Sequence, residues 1–133
     1  MKNFTAMSCS RFLLAIFFIV AGIGHFVSPN LYLAIMPSYI PWPRALVTLS
    51  GVAEICGGLG VLLGLTRRWA GWGLIALLVV VFPANIHALS TGMTVAGHDV
   101  PVWLLWARLP LQLPLIFWVY WTSINPVIAL RTE

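Results

Sequence analysis

Four long apolar stretches divide this chain, and they constrain its fold more than any other feature of the sequence. A helix needs about 20 apolar residues to cross the hydrocarbon core of a bilayer, which is roughly 30 Å thick. The stretches cover approximately residues 11–28, 44–65, 69–89 and 102–124. We therefore predict an all-α membrane protein, a four-span antiparallel transmembrane helical bundle in which residues 1–133 form a single transmembrane domain.

The low charge content excludes an ordinary soluble domain. Of the 133 residues, 61% are hydrophobic and 8% are charged, whereas soluble domains carry about 25% charged residues. The net charge of +4 does not indicate nucleic acid as a partner, because the basic residues are too scattered to form a patch. Cys9 and Cys56 lie far apart and outside any C-x-x-C motif, so neither a disulfide framework nor a zinc site is indicated.

The distribution of basic residues predicts the orientation of the spans. Five basic residues lie on one side of the predicted bundle, and only Arg44 lies on the other. The positive-inside rule then places both termini in the cytoplasm. A cleaved signal peptide over residues 1–27 is disfavoured, because the apolar run is long and no convincing cleavage site follows it. The five residues on the cytoplasmic side are Lys2, Arg11, Arg67, Arg68 and Arg131.

Six polar residues interrupt the apolar spans. Ionisable groups inside a membrane usually face the interior of a bundle or a cavity. With a rise of 1.5 Å per residue, Glu54 lies about 15 Å and Arg108 about 10 Å below the predicted outer boundary. We expect all six to meet as a polar cluster in the outer half of the bundle. The six are His25, Glu54, Asn85, His87, Arg108 and Gln112.

One interpretation of this cluster is purely structural. Glu54 and Arg108 would neutralise each other, and removing either would strand the other charge. Pro83 leaves the carbonyl of Val79 without its helical donor, and an amide such as Asn85 could satisfy it. The cluster would then do no more than fix the packing of the helices.

The other interpretation is a binding site for the head of a small lipophile such as a quinone. Quinone carbonyls accept hydrogen bonds, which arginine, histidine and amide side chains donate. In this interpretation Arg108 and Gln112 orient the ligand, Glu54 neutralises the charge of Arg108, and the histidines exchange protons. Haem ligation by His25 and His87 is disfavoured, because two histidines alone are weak evidence. Metal binding by the same histidines with Glu54 is disfavoured for the same reason, and we predict no metal site.

Short motifs around these residues have a familiar order. They are Gly24-His25-Phe26 followed by Pro29, Ser50-Gly51-Val52-Ala53-Glu54, Phe82-Pro83-Ala84-Asn85, and Arg108-Leu109-Pro110-Leu111-Gln112. Over approximately residues 11–121 the chain resembles the DoxX-like family of small four-helix membrane proteins. The resemblance implies a prokaryotic protein of the inner (cytoplasmic) membrane, with links in parts of the family to quinone-dependent oxidoreductases. Any turnover would need redox partner subunits, because no cofactor motif is present.

The leading hypothesis is therefore a quinone- or lipophile-binding component of a membrane redox system. The alternative is a non-catalytic membrane scaffold or assembly factor whose polar cluster is structural. A small transporter is disfavoured, because the chain lacks the inverted repeats and broken helices typical of that class. The lipid bilayer is the predicted partner in every case, and the sequence is compatible with an oligomer.

Overall fold

Helices account for most of the residues that the structure describes. The computed structural model describes residues 2–125, with side chains from residue 6 onward. The predicted roles of the Lys2 side chain and of Arg131 fall outside these described parts. In chain order the elements are α1 (Lys2–Val27), α2 (Pro29–Leu33), α3 (Pro43–Leu62), α4 (Arg67–Thr91), β1 (Thr94–Val95), β2 (His98–Asp99), α5 (Val102–Val119) and a π-helical turn (Tyr120–Ile124).

Four helical segments are long and apolar enough to cross a membrane, which confirms the predicted number and type of elements. The first begins earlier than the predicted residue 11, since no glycine or proline interrupts the chain before that point. The third also extends beyond its predicted bounds, by two residues at each end. The segments are Ala6–Val27, Pro43–Leu62, Arg67–Thr91 and Val102–Ile124.

Prolines set the path of the chain between α1 and α3. Ser28 leaves the helical region with φ −133°, because a proline disfavours helical backbone in the residue before it. Pro29 and Pro43 then occupy the first positions of α2 and α3, where the missing N–H is not needed. The connection therefore contains a short helix, α2, which packs against both α1 and α3.

A small hairpin joins α4 to α5. Its strands pair antiparallel, with Val95 opposite His98. Ala96 and Gly97 between them have φ angles of 52° and 81°, the pattern of a type I′ turn, whose twist suits a two-residue hairpin. The hydroxyl of Thr94 donates to a carboxylate oxygen of Asp99 at 2.8 Å and closes the open end of the hairpin.

Glycines allow α1 and α3 to approach closely. A Cβ atom at Gly51 would lie 2.7 Å from the Cβ of His25, and one at Gly22 would lie 2.7 Å from the carbonyl oxygen of Gly51. Further along, a Cβ at Gly58 would lie 2.9 Å from the carbonyl oxygen of Ala15. Small residues at such contacts let helix backbones pack tightly. This close approach fixes where α1 presents its side chains to α3.

The buried core is small, and much of the outer surface is apolar. One small cluster of buried apolar residues packs beside the hairpin and includes Met93 and Leu105. Large apolar side chains such as Val80, which is 72% exposed, lie on outer faces. A surface of this kind is not built for contact with water. The main core is formed by Leu14, Phe18, Val61, Leu74, Leu78 and Val119.

Candidate functional site

The best-defined polar contact joins His25 on α1 to Glu54 on α3. Nε2 of the imidazole lies 3.4 Å from Oε2 of the carboxyl group, and both side chains are mostly buried, at 8% and 15% exposure. The other ring nitrogen, Nδ1, lies 2.9 Å from the carbonyl oxygen of Val47. Because a carbonyl oxygen can only accept, Nδ1 must carry a hydrogen and donate it.

This geometry fixes how the His25–Glu54 pair holds a proton. With Nδ1 donating to Val47, Nε2 faces the carboxyl group either as an imidazolium N–H or as a lone pair. The first state needs a carboxylate opposite it, and the second needs a carboxylic acid, so a neutral pair holds one proton between the two groups. Oε2 of Glu54 is buried and lies 3.4 Å from Nε2, but it makes no hydrogen bond with the described residues, so the contact between the two groups is electrostatic.

Tyr32 on α2 covers the imidazole of His25. The two rings stack with their centroids 3.7 Å apart and their planes inclined by 23°. The tyrosine hydroxyl donates to the carbonyl oxygen of Ala21 over a long distance of 3.4 Å. A Cβ at Gly24 would lie 2.7 Å from that hydroxyl oxygen, so the glycine of the predicted Gly24-His25-Phe26 motif makes room for the ring.

Burial and nearby charges affect the pKa of the Tyr32 phenol on α2. Burial raises the pKa of Tyr32 above its ordinary value of 10.0, the charge of Glu54 raises it further, and the charge of Arg108 lowers it. The phenol therefore stays protonated at neutral pH and remains a hydrogen-bond donor. The contacts of the Tyr32 ring itself are with His25 and Ala21.

The predicted ion pair between Glu54 and Arg108 is wrong. Among the described residues Glu54 pairs with His25, and Arg108 is exposed, with Nη1 donating to Sδ of Met93 at 3.6 Å. The reason is the register of α3. Gly51 meets α1, and Glu54 is three residues further on, so both lie on the same face of that helix.

The amides of Asn85 and Gln112 form a second, separate group between α4 and α5. Nδ2 of Asn85 lies 3.4 Å from Oε1 of Gln112, and Nε2 of the buried Gln112 donates to the carbonyl oxygen of Leu78. We expected an amide to repair the helix break at Pro83. The carbonyl that receives the hydrogen bond is that of Leu78 and not, as we predicted, that of Val79.

His87 takes no part in either group through the contacts that the structure shows. Its side chain is half-buried in α4, and its backbone carbonyl accepts hydrogen bonds from the hydroxyls of Ser90 and Thr91. Both ring nitrogens of His25 already face protein atoms, so ligation of haem or a metal by His25 would require breaking one of those contacts. Among residues 6–125 no group of three His, Cys, Asp or Glu side chains could hold a metal ion.

Two apolar grooves lined by described residues contain none of the predicted site residues. One lies between α3 and α4, has a volume of about 510 Å³ and includes Gly57, Gly60 and Cys56 in its walls. The other, of about 590 Å³, lies beside α1 and Trp118. The polar site is therefore a packed set of side chains around Tyr32 rather than part of either groove.

A family model described as Domain of unknown function (DUF8561) matches residues 14–123. The chain belongs to this family. The matched part of this DUF8561 chain holds the His25–Glu54 pair, Tyr32 and the Asn85–Gln112 pair. No curated protein and no solved structure matches the chain.

Sequence reasoning missed two residues that the structure brings into polar clusters. Tyr32 is not among the six predicted polar residues because it lies outside the spans, although Pro29, which starts a helix just before it, was a signal that the ring could fold back over α1. Arg11 was counted only as a topogenic charge, yet it is 6% exposed and its Nε donates to the carbonyl oxygen of Thr122 at 2.9 Å. No local pattern distinguishes a buried arginine of this kind.

Proposed function

We propose that the chain is a DoxX-like multi-pass protein of the cytoplasmic membrane, with its four long helices arranged as an antiparallel bundle and both termini in the cytoplasm. The contacts between α1 and α3 support opposite directions, since Gly22 meets Gly51 whereas Ala15 meets Gly58. The excess of basic residues beside α1 and α4 supports the orientation. The motifs around His25, Glu54, Asn85 and Arg108 support the DoxX-like assignment.

The function that the geometry favours best is binding of the head of a quinone or a similar lipophile, with proton exchange at the His25–Glu54 pair. One observation carries this proposal. A buried carboxyl oxygen without a hydrogen-bond partner faces an imidazole whose other nitrogen is fixed by Val47. Such a pair takes up or releases a proton without rearranging the backbone, which is what a proton-exchanging site needs.

The chemistry of quinone reduction matches this pair. Reduction of a quinone to a quinol adds two electrons and two protons to its carbonyl oxygens. The electrons would come from a redox partner subunit. The His25–Glu54 pair would supply one proton, be reprotonated from the aqueous phase, and then supply the second. Arg108 is the donor left to orient a carbonyl oxygen, because the hydroxyl of Tyr32 already donates to Ala21 and the amide nitrogen of Gln112 to Leu78.

The test is a titration of the detergent-purified protein with a short-chain ubiquinone analogue, followed by quenching of tryptophan fluorescence. Glu54→Gln keeps the shape of the side chain but removes its proton exchange, and we expect at least a tenfold loss of affinity, of the size given by a charge-assisted hydrogen bond. Asp99→Asn removes an equivalent charge from the exposed hairpin and should bind as the unaltered chain does. Equal affinities for the two variants would contradict the proposal.

A second candidate function, a non-catalytic scaffold, is favoured by the Asn85–Gln112–Leu78 chain. Both amides contribute to packing between α4 and α5, and none of that group needs a ligand. The same titration separates the two candidates. A chain that stays folded and binds no quinone analogue, even before substitution, supports the scaffold.

A further inference from the structure

Two arginines lie close together at the end of the molecule away from the His25–Glu54 pair. Arg11 precedes His25 by fourteen residues on α1, which is about 21 Å along a helix. Arg11 is 6% exposed, and its Nε donates to the carbonyl oxygen of Thr122 at 2.9 Å. Arg67 begins α4, is half-buried, and its Nε donates to the carbonyl oxygen of Val61 at 3.1 Å.

The two positive charges have no acidic partner among the described residues. Arg11 donates to the carbonyl oxygen of Thr122, and Gly71, one turn after Arg67 on α4, packs against Ser123 and Ile124, so both arginines lie beside the π-helical turn. The ion pair that residues 6–125 contain is at the other end of the molecule, between His25 and Glu54. A buried cation is costly unless an anion and further hydrogen bonds compensate it, so this arrangement is suited to receiving an anion.

Among the described residues, both arginines make their hydrogen bonds through Nε and not through their terminal nitrogens. In each case the Nε–H is the donor that a backbone carbonyl takes up, which anchors the planar group and leaves the terminal N–H groups to point elsewhere. The paired terminal donors of a guanidinium match two oxygens of a phosphate. Two guanidinium groups held this way provide a preorganised phosphate clamp.

The surroundings indicate that the phosphate belongs to a lipid. Trp69, two residues after Arg67, is 80% exposed, and Nε1 of Trp118 donates to the hydroxyl of Ser10 at the same end of α1. Tryptophans typically sit at the level of the headgroups. Under the proposed orientation this end faces the cytoplasmic leaflet, which is rich in anionic lipids.

We propose that Arg11 and Arg67 bind the phosphate of an anionic phospholipid at the cytoplasmic face. The proposal rests on the membrane insertion proposed above and is independent of quinone binding. It assigns different roles to two adjacent arginines. Arg67 is half-buried and anchored to Val61, whereas Arg68 is exposed and should contribute only diffuse charge.

The test is native mass spectrometry of the detergent-purified protein, titrated with phosphatidylglycerol or with phosphatidylcholine of the same acyl chains. We expect one phosphatidylglycerol to be retained preferentially. Arg67→Gln should lower its affinity about tenfold, the order of a lost charge-assisted contact, and Arg68→Gln, a matched loss of charge, should lower it far less. The quinone titration should be unchanged in Arg67→Gln, which keeps the two proposals separable.

Several outcomes would overturn the lipid assignment. Equal retention of the two lipids would do so, as would equal losses in Arg67→Gln and Arg68→Gln. Inorganic phosphate competing as well as the lipid would point to a free anion instead. Glu133 is the one acidic residue of the chain outside the described residues, and an equal destabilisation of the lipid-free protein by Glu133→Gln and Arg67→Gln would identify its carboxylate as the partner.

Discussion

At the scale of single residues, the candidate site depends on glycines, which leave room for neighbouring atoms, as much as on its polar side chains. Gly51 leaves room for the Cβ of His25 and the carbonyl oxygen of Gly22, and Gly24 leaves room for the hydroxyl of Tyr32. Both glycines lie close to an ionisable residue of the site. Gly24 directly precedes His25, and Gly51 lies three residues before Glu54. Two of the four predicted motifs therefore contain a glycine at which packing leaves no room for a larger residue.

Gly51→Ala should disrupt this packing. The new Cβ would lie 2.7 Å from the Cβ of His25 and 2.9 Å from the carbonyl oxygen of Gly22, and both are atoms that cannot move without shifting a helix. We expect a destabilisation of about 1–3 kcal/mol, typical of overpacking, measured by thermal unfolding in detergent.

Gly73→Ala is the matched control, since nothing lies within 4 Å of a Cβ at that position. Alanine is the better helix former by about 1 kcal/mol, so this variant should be as stable as the unaltered chain or slightly more stable. A similar loss of stability in both variants would show that Gly51 is not at a close helix contact.

At the scale of elements, one side-chain hydrogen bond joins the proline-containing helices α4 and α5. Pro83 lies inside α4, and Pro110 and Pro114 lie inside α5. Gln112, between the latter two, is buried and donates to the carbonyl oxygen of Leu78. Because Pro83 removes the helical donor of Val79 and not that of Leu78, this bond ties the two helices together and does not repair the break.

Gln112→Leu should therefore destabilise the protein more than Asn85→Leu does. Loss of Gln112 removes a buried hydrogen bond between the helices, which costs about 0.5–1.5 kcal/mol. Loss of Asn85 removes only a long contact of 3.4 Å and leaves the bond to Leu78 intact. Thermal unfolding of the two variants measures the difference, and equal losses would assign the joint to general packing rather than to the bond with Leu78.

At the scale of the whole molecule, two groups of polar side chains lie towards opposite ends of the long helices. The His25–Glu54 pair and Tyr32 lie towards one end of α1, and the Arg11–Arg67 pair lies towards the other. In the proposed orientation the first faces the outer leaflet and the second the cytoplasm. Proton exchange and lipid binding would thus occur at opposite faces of one small protein.

This orientation predicts opposite labelling of the two ends in intact cells. In a chain with Cys9→Ser and Cys56→Ser, Asp99→Cys in the hairpin should react with a membrane-impermeant maleimide added outside. Arg68→Cys, beside the start of α4, should react only after permeabilisation. Both positions are exposed, so the side of the membrane on which the thiol lies decides whether it reacts. The reverse labelling pattern would contradict the proposed topology.

The sequence by itself determined the elements. Long apolar runs, and prolines and glycines at their ends, act locally, so the four long helices followed from residues such as Pro29, Pro43 and Gly92. The same local information identified which polar residues are unusual within the spans. Four of the six residues identified in this way, His25, Glu54, Asn85 and Gln112, have polar side-chain contacts within the protein.

Only the tertiary structure decided the partners. Glu54 meets His25 rather than Arg108 because its face of α3 is the one that Gly51 brings against α1, and the rotation of one helix against another is not encoded in any single segment. Tyr32 and Arg11 enter polar clusters for the same reason, since the path of α2 and the π-helical turn bring distant residues into contact. Apolar length is a local property, whereas the pairing of charges depends on how separate helices turn towards each other.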